Sequence, residues 1–214
     1  MSTSLAIENW QDVSLDVVVL TCLRGEAHKY ENLTDEERRL IHTAEIGNPA
    51  ENLRRCHLVA QKRFGLFLGV PPDTIWYEVR YLRNDHLDQL RVMREPNWNS
   101  PTDQNELGKV AVRNPFRLRP LAEKWKNEAR VLEYYSTEPN SWQNPILWGH
   151  DREGPLTILE GTHRLVWYYL QTKTHPTFMN TIYVGLSKNP CCWHFPDQFD
   201  GRYEVNPLTS THEK

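Results

Sequence analysis

The stretch Pro155-Leu-Thr-Ile-Leu-Glu-Gly-Thr-His-Arg164, continued by Leu165-Val-Trp-Tyr-Tyr-Leu170, decides how this chain is read. Its first half is apolar and β-branched, which predicts a strand ending at Leu159. Glu160 and Gly161 then break the run, and Thr162, His163 and Arg164 suit the start of a helix whose body is the apolar segment after them. A strand that turns through glycine into a helix aims backbone N–H groups and the positive end of the helix dipole at one spot, where an anion can sit.

Each residue of the turn has a chemical use. Gly161 tolerates the dihedrals needed to leave the strand. Thr162 is a competent helix cap. Arg164 carries a planar fork of donors that matches phosphate or carboxylate oxygens. His163 donates to a phosphate or moves a proton near neutral pH. Glu160 is placed to take a proton from a hydroxyl nucleophile or to stand on the metal side of a nucleotide. Strand–glycine–helix turns also occur in plain structural roles, and a first-turn arginine often serves a local salt bridge. The five residues alone leave both uses open.

The composition bounds the class. With 214 residues, 39% hydrophobic and 25% charged, the chain is long enough to bury a sizeable core and has the balance of a globular protein. Its 8 Trp, 9 Tyr and 6 Phe argue against disorder. A formal charge of −3 supplies no global basic field for nucleic acid. The longest aliphatic run, Val17-Val-Val-Leu20, falls far short of the roughly 20 residues that span a bilayer. The first residues lack a basic and apolar leader pattern, and Cys22, Cys56, Cys191 and Cys192 do not form a spaced disulfide framework. A cytoplasmic protein with reduced thiols and no membrane partner is therefore expected.

Three regions are expected: a helical N-terminal extension over residues 1–70, a core over 71–186 and an irregular tail over 187–214. In the first, Asp12 or Ser14 caps a short helix through Val17, Leu20 and Leu23. Thr34-Asp-Glu-Glu37 predicts a capping box and a helix to about Ile46, stopped at Gly47-Asn48. Pro49 then opens a second helix carrying Arg54, Arg55, Lys62 and Arg63. The pair suits either an αα-hairpin packed on the core, which is favoured, or a nucleic-acid-binding helix-turn-helix. In the core, Thr74–Leu82 alternates like a strand, and Asn84-Asp85 caps a short helix containing Leu87 and Leu90. Residues 95–106 are a polar loop and Pro120–Tyr135 an amphipathic helix. Asn144–Gly149 and Pro155–Leu159 form a hairpin about His150–Gly154, and Phe178–Gly185 is a further strand. The fold class is α+β with a small mixed sheet.

The run Asn144-Pro-Ile-Leu-Trp148, a hairpin, Leu156-Thr-Ile-Leu-Glu-Gly-Thr-His-Arg-Leu-Val166, a short helix and Thr181-Ile-Tyr-Val184 resembles the nucleotide-binding core shared by ParB partition proteins, sulfiredoxins and free-serine kinases. The likeness covers about residues 115–186, about a third of the chain. It implies that Gly161, Thr162, His163 and Arg164 contact phosphate. Departures narrow the choice. Thr162 stands where sulfiredoxins carry cysteine. Thr162-His-Arg164 replaces the Glu-Arg-Arg triplet of ParB proteins, and little chain follows Ser187 for a DNA-binding domain. The kinase branch stays open, with Glu160 and His163 as the catalytic candidates. The resemblance thus implies a phosphotransferase or NTPase using ATP or another nucleotide with Mg²⁺ and an acceptor of unknown chemistry. A nucleotide-sensing or nucleic-acid-binding regulatory module is the alternative.

Two further groups complete the expectations. Cys191-Cys-Trp-His194 is metal-capable, yet adjacent cysteines chelate one ion poorly, so no metal site is expected and a loop packed against the sheet is favoured. Alternatively His194, with Ser187, folds back over the phosphate turn and lines a substrate pocket, joined by His150 from the hairpin turn. No Walker A, Gly-x-Gly-x-x-Gly or Gly-x-Ser-x-Gly pattern occurs, which removes support for Rossmann dehydrogenases and serine hydrolases.

Overall fold

The computed structural model describes residues 10–27, 30, 32–42, 45–62, 66–79, 87, 90–93, 144–162, 165 and 181–193. They build a mixed α/β structure of α+β class, with a six-stranded sheet and three α-helices among the described residues. The strands are β1 (Trp10–Val13), β2 (Ile75–Val79), β3 (Leu90–Val92), β4 (Ile146–Gly149), β5 (Leu156–Glu160) and β6 (Ile182–Leu186). The helices are α1 (Leu15–Glu26), α2 (Asp35–His42) and α3 (Pro49–Lys62). The sheet order is β1-β2-β6-β4-β5-β3. β1–β2, β2–β6 and β4–β5 are antiparallel, whereas β6–β4 and β5–β3 are parallel.

Central strands buried on both faces read as continuous apolar runs, and β4, β5 and β6 do so. One face gathers Val79, Leu90, Val92, Leu147, Leu156, Ile158, Ile182 and Val184 with Leu165. The other gathers Trp76, Ile146, Trp148, Leu159 and Tyr183 with Val18 and Cys22 of α1. One residue on in each case, Val19 and Leu23 of α1 meet Ile41, Leu58 and Val59 of the α2–α3 pair. Because i and i+4 share a helix face, the run Val17-Val-Val-Leu20 supplies two apolar stripes. α1 is thus a middle layer between sheet and hairpin.

The helix starts agree with the sequence, although the Ser14 side chain makes no cap hydrogen bond. Ser14, extended at φ −74°, starts α1, and its carbonyl accepts from the Val17 N–H at 3.1 Å. The capping box forms: the Thr34 N–H donates to Glu37 Oε2 at 2.7 Å, and the Glu37 N–H donates to Thr34 Oγ1 at 3.2 Å. Asn48 Oδ1 accepts from the Ala50 and Glu51 N–H groups at 3.1 and 3.3 Å, so Asn48 both ends the turn and caps α3.

Three local expectations are corrected. Residues 10–13 form an edge strand paired with β2 from Trp10↔Val79 to Val13↔Trp76, so the N-terminal stretch is not wholly helical and Asp12 lies in a strand. Leu90 is in β3, parallel to β5, instead of in a helix. The helix from Thr34 stops at His42, before the expected Ile46. The Pro120–Tyr135 helix, the 95–106 loop and the tail from His194 lie outside the described residues.

Candidate phosphate-binding site

β5 carries the turn to one end of the sheet. In its pairing with β4, Leu147 faces Ile158 but Ile146 faces Glu160, so Leu159 is an extra residue and β5 bulges there. A bulge increases the local twist of a strand and re-aims the residues C-terminal to it. Glu160 closes β5 with 8% of its surface exposed. Gly161 then takes φ 92°, a left-handed conformation that glycine adopts without penalty. Its carbonyl accepts from the Leu165 N–H at 2.9 Å, a first helical hydrogen bond that makes Gly161 the residue at which strand becomes helix. Thr162, 8% exposed, comes next in helical conformation, and Leu165 returns to the core. His163 and Arg164 lie outside the described residues.

The register separates the expected pocket residues from this turn. Glu160 adjoins Ile146, the first residue of β4, whereas His150 follows Gly149 at its far end. Three strand residues lie between Ile146 and His150, which puts them about 13 Å apart along the strand. Ser187 follows β6, whose parallel pairing sets Leu186 beside Gly149. His150 and Ser187 therefore meet each other: His150 Nδ1 lies 2.9 Å from the Ser187 carbonyl, its N–H donating in that tautomer. Neither joins the Glu160 turn. His194 lies outside the described residues.

The opposite end is a self-satisfied clasp. The Ser187 hydroxyl donates to the Asp73 carboxylate, 2.9 Å from each oxygen, and accepts from the Asn189 N–H at 3.0 Å. The Asn189 side chain and the Ser187 hydroxyl hold the Asp73 carboxyl below the usual carboxylate range. Trp148 Nε1 donates to Thr74 Oγ1 at 3.2 Å, and the His150 ring meets Trp148 edge-on at 5.1 Å. Asp73 has no counterpart among the expected site residues, because its partner stands 114 positions away.

The remaining chemistry-bearing groups are engaged elsewhere. Cys191 is wholly buried in the sheet–α1 core, and burial pushes the Cys192 thiol up, away from a reactive thiolate. Among the described residues no group of three or more His, Cys, Asp or Glu side chains is set to hold a metal ion. Of the basic residues of α3, Arg54 pairs with Glu36 at 2.7 Å, and wholly buried Arg55 pairs with Glu51 at 3.1 Å. Lys62 lies 5.9 Å over the Tyr30 ring. These contacts are those of a helical hairpin packed on the core.

A scan against protein-family models and searches of curated proteins and of solved structures returned no match.

Proposed function

We propose that the chain binds a nucleoside di- or triphosphate at the Glu160–Arg164 turn, with Mg²⁺, and transfers or hydrolyses a phosphoryl group. The observation that carries the proposal is Gly161, at φ 92° with its carbonyl opening a helix directly after a bulged, buried strand. A strand that passes through glycine into a helix start aims amide donors toward one point, the requirement for seating a phosphate. Gly161 and Thr162 would supply the cradle, with His163 and Arg164 adding charge and a bidentate fork.

The metal fits the donors in one respect. Mg²⁺ in nucleotide sites is held largely by phosphates and water with one or two carboxylates, and Glu160 supplies a carboxylate at the strand's end. When bound, the ion would neutralise charge developing on the phosphates. In its alternative role, with the ion held by phosphates and water alone, Glu160 would accept the proton of a hydroxyl or water as that oxygen bonds to phosphorus and the bond to the departing nucleotide breaks. A ParB/sulfiredoxin-like core, closest in logic to the free-serine-kinase branch, is part of the same proposal. Calorimetric titration with ATP, ADP, GTP and CTP, with and without Mg²⁺, tests binding. Release or transfer of labelled phosphate then separates an enzyme from a nucleotide sensor.

A further inference from the structure

The β4–β5 turn bears a side chain that the proposed phosphate site does not use. Arg152 reaches back over the sheet, its guanidinium carbon 4.6 Å from the Trp10 ring centroid and 5.2 Å from that of Tyr77. The two rings meet edge-on at 5.1 Å across β1 and β2. Both rings contact the guanidinium, while among the described residues none of its N–H groups donates to a carboxylate or carbonyl. The adjacent acid, Asp151, is committed to Lys188 at 3.3 Å. Along the same pleat of β2 comes Ile75, 55% exposed, paired with half-buried Leu186. One face of the sheet therefore presents, along the length of β2 at the β1–β2 edge, Trp, Tyr, Arg and an exposed aliphatic side chain. Trp, Tyr and Arg are the residue types that dominate binding hot spots.

We propose that this strip is a docking surface for an extended peptide segment carrying a carboxylate beside an apolar side chain. The carboxylate would take the unspent fork of Arg152, which the rings already hold, so little side-chain entropy is lost on binding. The apolar neighbour would cover Ile75 and Leu186. Trp10 and Tyr77 lie in β1 and β2, separated from β5 by β6 and β4, so the surface stands independently of the nucleotide proposal.

The test is an array of acetylated hexapeptides probed with the full chain and with Arg152→Ala and Arg152→Glu, each checked for an unchanged circular dichroism spectrum. Retained peptides are expected to share Asp or Glu next to Leu, Ile or Val. Arg152→Ala should weaken them about tenfold, about 1.4 kcal/mol, and Arg152→Glu should redirect selection toward Lys and Arg. Retention without an acidic preference, selection unchanged in Arg152→Glu, or no retention above the Arg152→Glu background would overturn the proposal. So would Arg152-dependent binding of an oligothymidylate, or concentration-dependent self-association lost in Arg152→Ala.

Discussion

Gly161 is the residue on which the candidate site turns. At φ 92° any β-carbon is strained, and left-handed backbone costs a non-glycine residue about 1–2 kcal/mol. Gly161→Ala should lower the melting temperature by several degrees and displace the amides after it; an unchanged melting curve would show that the turn does not depend on this conformation. Asp73 makes a second prediction. Its carboxyl titrates lower in the folded chain than in the unfolded one, because Asn189 and Ser187 favour the ionised form. Its contribution to stability is therefore complete above the ordinary aspartate range and lost as pH falls through the lower folded value. Asp73→Asn should flatten that part of the acid-unfolding profile, and identical profiles for both proteins would contradict the assignment. The Glu160–Gly161–Thr162 turn was legible because its signals are contiguous. The neighbourhood of His150 was legible only in part. That His150 is polar and sits in a hairpin turn is local, whereas its meeting with Ser187 depends on the parallel pairing of β4 with β6.

At the scale of elements, the capping box was the easiest to read. The Thr34–Glu37 box satisfies backbone donors within three residues and needs no tertiary partner, whereas the Asn48 cap of α3 was not foreseen, the residue reading only as the stop before Pro49. Thr34→Ala should cost about 1 kcal/mol and raise the Glu37 carboxyl only in part, because the Thr34 backbone N–H, the larger cause of its low value, remains while the hydroxyl is lost. Chemical denaturation with carboxyl titration by NMR checks both effects. β1 and β3 were not legible, for a physical reason. They span 4 and 3 residues, too few for alternation to register, and their strand character comes from pairing with β2 and β5, distant in sequence. The bulge at Leu159 was hidden likewise, because an extra residue exists only relative to a partner strand.

For the whole molecule, the mixed sheet between two apolar layers was foreseeable from the continuous runs of β4, β5 and β6. The placement of α1 as a middle layer, with Val18 and Cys22 toward the sheet and Val19 and Leu23 toward the helices, emerged only with the packing. The sheet has two chemically distinct ends. One carries Glu160, Gly161 and Thr162; the other carries the Asp73–Ser187–His150 clasp and the β4–β5 hairpin. If phosphate chemistry resides at the first end, it should be separable from events at the second. The decisive comparison is calorimetric titration of Mg²⁺-nucleotide into the full chain and into Arg164→Ala, with melting temperatures recorded for both. Saturable binding to the full chain, abolished in an Arg164→Ala protein of unchanged fold, is the predicted result. Equal affinity in the two proteins, or no binding by the full chain across the nucleotide panel, would contradict it.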